Sequence, residues 1–323
     1  MTGVYLTIDT EYSAGLAARL GVHARDEVFE RSITCRTPTG DVGIVHQMDV
    51  MDAHGIKGVF FVDPMPALVW GTGAIADIVE PILERGHEVQ LHLHPEWLEL
   101  AGDANPLAGR TGRNLHDFTE SEQAELLGLA REMLVQAGAP APTAFRAGNY
   151  GADDVTLRAL ASLGIRYDSS HVPGIAGSDC RISLSADDRR VVRHEGTIEV
   201  PVGSIRSHGG GQRHAQITAL SHRELAAALR FCVREGTAIL NIVSHSFELM
   251  SRDRTRANTI VRDRFDNFCA SIAATPGAYS ATFTGHPPQV GDETGAATMP
   301  HNAIRTAARL VEQLASNALY GAS

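Results

Sequence analysis

The sequence predicts an α/β fold built on a mostly parallel sheet, and two patterns predict it. Short apolar, β-rich runs alternate with longer stretches of helical period, as parallel strands joined by helical crossovers do. Polar side chains also collect at the downstream ends of those runs, where the connecting loops of barrels and parallel sheets converge on one face. The first run, Val4-Tyr5-Leu6-Thr7-Ile8, opens a strand over residues 4–9. Further strands are read at 58–62, 88–92, 143–146, 165–167, 198–201, 238–243 and 279–283. Helices fall between them at 42–54, 74–85, 120–137, 153–163, 221–235 and 258–274. About eight strands with helical crossovers fit a closed barrel or an open doubly wound sheet. Residues 101–117, rich in Gly, Asn and Arg, and 204–215, with Gly209-Gly210-Gly211, are predicted surface insertions. Residues 285–300 are loop-like, and 302–320 are predicted as a short amphipathic helix packing on the body.

Composition narrows the function. The chain has 323 residues, of which 43% are hydrophobic and 20% charged. That is enough apolar material for a packed core and excludes a disordered or fibrous chain. A net charge of -10, from 38 acidic and 28 basic residues with no basic run, argues against nucleic acid as a partner. Lys57 is the single lysine, which excludes Schiff-base and Walker-type lysine chemistry. Cys35, Cys180, Cys232 and Cys269 form no Cys-x-x-Cys pair, so buried free thiols are expected rather than a zinc ribbon or a disulfide framework. No apolar stretch reaches the ~18 to 20 residues of a membrane span. Met1-Thr2-Gly3 leads straight into the first strand without a charged leader or cleavage site, so the expected location is cytoplasmic.

The candidate site is read from the strand ends. Asp9 and Glu11 close the first run, His92 and His94 the third, Arg146 the fourth and Asp168 the fifth, and His245 follows Ile242-Val243-Ser244. Residues i and i+2 of an extended segment share a side, so Asp9 with Glu11, and His92 with His94, each present two groups together. His87 has the opposite parity and is expected to face away. Two imidazoles and a carboxylate make a three-ligand site that leaves positions open for water and substrate. The same set serves zinc hydrolases and non-haem iron oxygenases, so it does not identify the metal; a divalent ion is expected, zinc with Mn, Co, Ni or Fe as alternatives. His94 has a second reading, as organiser of the Pro95-Glu96-Trp97 turn.

The order of these segments carries a resemblance. Thr7-Ile8-Asp9-Thr10-Glu11, Gly86-His87-Glu88-Val89-Gln90-Leu91-His92-Leu93-His94, Phe145-Arg146-Ala147-Gly148-Asn149-Tyr150, Tyr167-Asp168-Ser169-Ser170 and Val243-Ser244-His245-Ser246 resemble the five motifs of the polysaccharide deacetylase, or NodB-homology, family, in a divergent intracellular form. The match runs from about residue 4 to residue 285. The resemblance implies a distorted (β/α) barrel of about seven to eight mostly parallel strands over 1–290, with 291–323 a C-terminal loop and helix packing on it. It further implies a metal-dependent hydrolase that removes an N-acyl, usually N-acetyl, group from an amino sugar or related small saccharide. Asp9 would be the general base; Glu11, His92 and His94 the metal ligands; and His245 the general acid. Arg146 would hold the Asp9 carboxylate, and Asp168 would orient His245 and favour its protonated state; the plainer reading of Asp168 is a carboxylate that caps the turn before Ser169-Ser170. A backbone N–H of Asn149 or Tyr150 would serve as oxyanion donor; Tyr150 and Trp97 have two readings, as walls of a substrate cleft or as packing at the barrel loops. Asp9-Thr10-Glu11 replaces the family's adjacent acid pair, so base and ligand can exchange between Asp9 and Glu11. The family spaces its two histidines four apart, which makes Glu96 the alternative to His94.

Three other readings compete. Asp9-Thr10-Glu11 also resembles the opening of DEDD-type exonucleases, but the later histidine five residues before an aspartate is missing. Ser207-His208-Gly209-Gly210-Gly211 imitates an esterase oxyanion loop, yet no Gly-x-Ser-x-Gly elbow follows, and a surface lid is the plainer reading. The third is a barrel that has lost turnover and acts as a saccharide-binding or regulatory protein.

Overall fold

The computed structural model describes residues 1–175, 177–291 and 297–321. Strand Thr2–Thr10 pairs in parallel with Ile239–His245 on one side and with Val59–Val62 on the other. From Val59–Val62 the sheet continues in parallel through Glu88–Leu93, Ala144–Ala147, Tyr167–Asp168 and Thr197–Glu199. It ends on the antiparallel strand Val192–His194, and Ala278–Ser280 pairs beside the start of Thr2–Thr10. All eight predicted strands are present; Val192–His194 is an addition.

The sheet curls until its two ends meet. The Gly203 N–H donates to the Asn241 carbonyl at 2.9 Å, the Val243 N–H to Ala215 at 2.9 Å and the Ile217 N–H to Val243 at 3.0 Å. Irregular backbone therefore closes the ring where a strand pair would stand in a regular barrel. The architecture is a distorted (β/α) barrel, and the open doubly wound alternative is set aside.

Strand parity sorts the side chains. Val4, Leu6, Ile8, Phe60, Val62, Leu91 and Leu93 point outward into the main core, under the helices. Tyr5, Val59, Phe61, Ala144, Tyr167, Ile198 and Val200 point inward and meet Phe283, whose ring lies 5.3 Å from Tyr5 and 5.8 Å from Phe61. Apolar packing thus plugs the end where the strands begin. The polar residues that follow at the same parity emerge at the other end.

The predicted helices appear as Ile44–Ala53, Gly73–Glu84, Glu120–Gln136, Asp154–Ser162, His222–Glu235 and Thr259–Ala274. Capping fixes several of their ends. Thr119 with Glu122, and Ser221 with Glu224, form reciprocal boxes, and Gly236 closes His222–Glu235 in the left-handed conformation. Helices Ala14–Leu20 and Arg25–Ser32 were not predicted: at seven and eight residues, each is about two turns, too short for a periodic pattern to stand out. The insertion at 101–117 is loop and short 3₁₀ turns, and that at 204–215 is a hairpin of Ser204–Arg206 with Gln212–His214. Residues 292–296 of the predicted loop, and 322–323, lie outside the described residues. All four cysteines are free, with Cys35, Cys232 and Cys269 buried and Cys180 partly so. Among the described residues, no helix is long and apolar enough to cross a membrane.

Candidate metal and hydrolytic site

Parity and register assemble the site. His92 and His94 leave Glu88–Leu93 on its inner side, and Glu11 follows the end of Thr2–Thr10. The Glu11 carboxylate lies 3.1 Å from His92 Nε2 and 2.7 Å from His94 Nε2. Each imidazole is held from behind. His92 Nδ1 donates to the Arg146 carbonyl at 2.7 Å, and His94 Nδ1 sits 2.9 Å from Glu96 Oε2. These contacts commit both Nδ1 atoms and turn both Nε2 atoms toward one carboxylate, where a cation would displace any proton they carry and find the three ligands of an open tetrahedral site. Glu96 thus stands behind His94 rather than in its place. Burial opposes a charge on Glu11, but His94 and His92 hold its carboxyl well below the usual range. Burial likewise opposes a proton on His94, and Glu11 and Glu96 overcome it and raise its pKa.

Gly148 makes room for this geometry. A Cβ there would lie 2.6 Å from His94 Nδ1, so only glycine lets strand Ala144–Ala147 turn so close to the ring.

Beside the cluster stand Asp9 and His245, register partners on adjacent parallel strands. Asp9 Oδ2 and His245 Nε2 face each other at 3.9 Å, a gap rather than a hydrogen bond. Arg146 is fully buried and donates to Asp9 Oδ1 at 2.7 Å, Thr7 Oγ1 at 2.9 Å and Ser169 Oγ at 3.0 Å, with its guanidinium 4.4 Å above the Phe61 ring. It is the cation that makes a buried Asp9 carboxylate tolerable.

His245 is oriented by Glu248, not by Asp168. Its Nδ1 lies 2.9 Å from Glu248 Oε1, and Glu248 also accepts from Ser244, Thr218 and Gln216. Burial disfavours the imidazolium, but the Glu248 hydrogen bond, then the charges of Glu248, Asp9 and Glu11, prevail and raise the His245 pKa to about 9. Asp168 sits on the other side of the sheet. Tyr167 and Ser169 face inward, so Asp168 between them faces out, opposite Glu199 in the register. There it accepts from the Ser170 N–H and hydroxyl, both at 2.9 Å, and Ser170 Oγ in turn accepts from the Ala147 N–H. Burial raises the pKa of Asp168, and burial together with the charge of Asp168 raises that of Glu199. The reading of Asp168 as the orienter of His245 is therefore corrected, and the turn-capping reading is the one its contacts match: it braces the backbone behind Arg146.

The expected substrate contacts divide. Asn149 and Tyr150 are half-buried at the site rim, with left-handed φ of 55° and 57°, a costly conformation for a tyrosine. The Tyr150 hydroxyl is buried without a partner, and burial, resisted by Arg146 and reinforced by Asp9 and Glu248, raises its pKa. Trp97 does not line a cleft: it is fully buried, its ring edge-on to Trp70 at 5.0 Å. Its place in the 3₁₀ turn Pro95–Glu99 directs it into the core.

Two acidic residues went unread. Glu248 lies three residues past His245, in a turn with no strand pattern. Asp63 ends Val59–Val62 as Asp9 ends its own strand, so the strand-end rule would have found it. Its Oδ1 accepts from the Met65 N–H, its Oδ2 is buried without a partner, and burial lifts its pKa to about 6 against the pull of His94 and His92. A second group able to surround a cation, Asp154, His194 and Glu195, lies elsewhere; Ser183 donates to Asp154, and Arg158 pairs with Glu195 at 3.1 Å.

No family model and no curated protein matches the chain. Among solved structures, a Mycobacterium smegmatis protein assigned as a polysaccharide deacetylase superimposes with a TM-score of 0.56 at 16% identity, over 91% of this chain and 94% of that one. The chain has the polysaccharide deacetylase fold. The Puue allantoinase shares it with a TM-score of 0.51 at 12% identity, over 89% of this chain and 92% of that one. The 4-alpha-glucanotransferase of Thermococcus litoralis does so at 0.50 and 9% identity, over 88% of this chain and 40% of that one. The polysaccharide deacetylase fold therefore frames proteins of different named activities, and the side chains at its strand ends must carry the functional assignment.

Proposed function

We propose that this chain is a metal-dependent hydrolase of an amide C–N bond, acting on an N-acetylated amino sugar or related small saccharide in the cytoplasm. The observation that carries the reading is the juxtaposition of three metal-ligating groups, Glu11, His92 and His94, with the facing pair Asp9 and His245. Glu11, His92 and His94 would hold a divalent ion, zinc first among the candidates. Such an ion makes water available as a nucleophile near neutral pH and polarises the amide oxygen.

The chain's own residues supply the proton transfers. Asp9, held in place by the Arg146 guanidinium, takes a proton from the attacking water. His245, protonated through Glu248, gives one to the departing nitrogen. Acid and base contributions of this kind are each worth about 10² to 10⁴ in rate. A backbone N–H of Asn149 or Tyr150 would serve as donor to the acyl oxygen.

Acetate release from a panel of N-acetylated amino sugars, with the metal-loaded protein, tests the proposal. Turnover that is lost on chelation and in His92→Ala supports it. Metal binding without turnover on any member favours the saccharide-binding or regulatory alternative. Small cyclic amides belong in the same panel, because a structure named as an allantoinase shares the fold.

A further inference from the structure

The C-terminal helix Ala303–Tyr320 meets the barrel through its polar side. Arg264 pairs with Glu312 at 3.1 Å, Asn258 donates to Ser316 at 2.9 Å, and Thr259 and Tyr320 share a hydrogen bond of 2.7 Å. Between helix and barrel this leaves a cavity of about 270 Å³, whose lining includes Arg252, Arg264, Arg309, Glu248, Gln313 and Asn317. We propose that the cavity binds a small oxyanion, the phosphate group of a phosphorylated small molecule being the class that fits it.

The donors are built and left over. Arg264 is 5% exposed; it spends Nη1 on the Ile217 carbonyl and Nη2 on Glu312, while its Nε is buried without a partner. Arg309 is 6% exposed; it spends Nη1 on Gln313, and its Nε, 3.6 Å from Glu224, has no hydrogen-bond partner. A buried guanidinium N–H without an acceptor costs free energy, so two of them on one cavity point to an acceptor that arrives from outside. Arg252 adds a third cation on the same wall. The carboxylates nearby are already committed: Glu312 and Glu224 each lie opposite one of the arginines, and Glu248 accepts from His245, Gln216, Thr218 and Ser244. Beyond these pairs stand the Arg252 cation and the guanidinium N–H groups of Arg264 and Arg309 that no acceptor takes, forked donors of the kind that recognise phosphate. Glu248 forms part of this wall and also holds His245, so an occupant would lie on the far side of the proposed general acid.

Calorimetric titration of the full chain with inorganic phosphate tests the site independently of any hydrolytic activity. The wild type should bind phosphate saturably. Gln313→Glu places a carboxylate beside Arg309 at an exposed helix position and should weaken phosphate binding at least about tenfold, with the unfolding temperature in phosphate-free buffer unchanged. Arg309→Met should weaken it similarly; if that variant does not fold, Gln313→Glu decides alone. Absence of saturable binding in the wild type, or Gln313→Glu binding as tightly as wild type, overturns the proposal.

Discussion

Arg146 shows how far a single residue can be read from a strand end. The sequence placed it at the end of the fourth run, and its partner is indeed Asp9. Removing the guanidinium leaves Asp9 buried and unpaired, so Arg146→Met should cost about 3 to 5 kcal/mol in chemical denaturation. Asp168 was misread because two strand ends with the same spacing from their runs need not face the same way, and parity relative to Tyr167 decides it. Glu248 was illegible because a turn three residues beyond a strand gives no periodic signal. Its role makes a pH prediction. With a His245 pKa of about 9, the proposed acid stays protonated through neutral pH, and kcat should fall as pH rises through that value. Glu248→Gln removes the main stabiliser of the imidazolium, so the alkaline limb of the kcat profile should move to lower pH. By linkage, the stabilisation that His245 protonation gives the fold is complete below its ordinary pKa of about 6.5 and fades as pH rises through about 9.

At the scale of elements, strands were legible because period-two patterns and apolar runs fix both their place and their buried face. The turn after Ala144–Ala147 was not, since the need for glycine at 148 arises only when His94 from the neighbouring strand arrives beside it. Gly148→Ala should displace that ring and weaken metal binding by about 10- to 100-fold, measured by competition with a chromophoric chelator. The C-terminal helix was expected to pack as an amphipathic element, and it does the reverse of the usual arrangement. Ile304, Val311 and Leu314 are 76%, 65% and 69% exposed, whereas Arg309, Glu312 and Ser316 turn toward the barrel. Leu314→Lys should therefore leave stability within about 0.5 kcal/mol of wild type, read by thermal or urea unfolding.

At the scale of the molecule, the barrel brings together residues from opposite ends of the chain. Asp9 comes from the first strand and Glu11 from just past its end, His92 and His94 from the third strand and its exit, and His245 from the strand that pairs in parallel with the first although more than 220 residues separate them. The irregular closure through Gly203, Ala215 and Ile217 was beyond the sequence reading, because no β pattern marks those residues. A cation bound only by the folded arrangement must stabilise it, by about 2.7 kcal/mol at a hundredfold excess over its dissociation constant. The most direct test is anomalous diffraction at the zinc edge from crystals of the protein grown with zinc. The account predicts a peak between Glu11 and the Nε2 atoms of His92 and His94. A peak confined to Asp154, His194 and Glu195, or none at the barrel mouth, would contradict it.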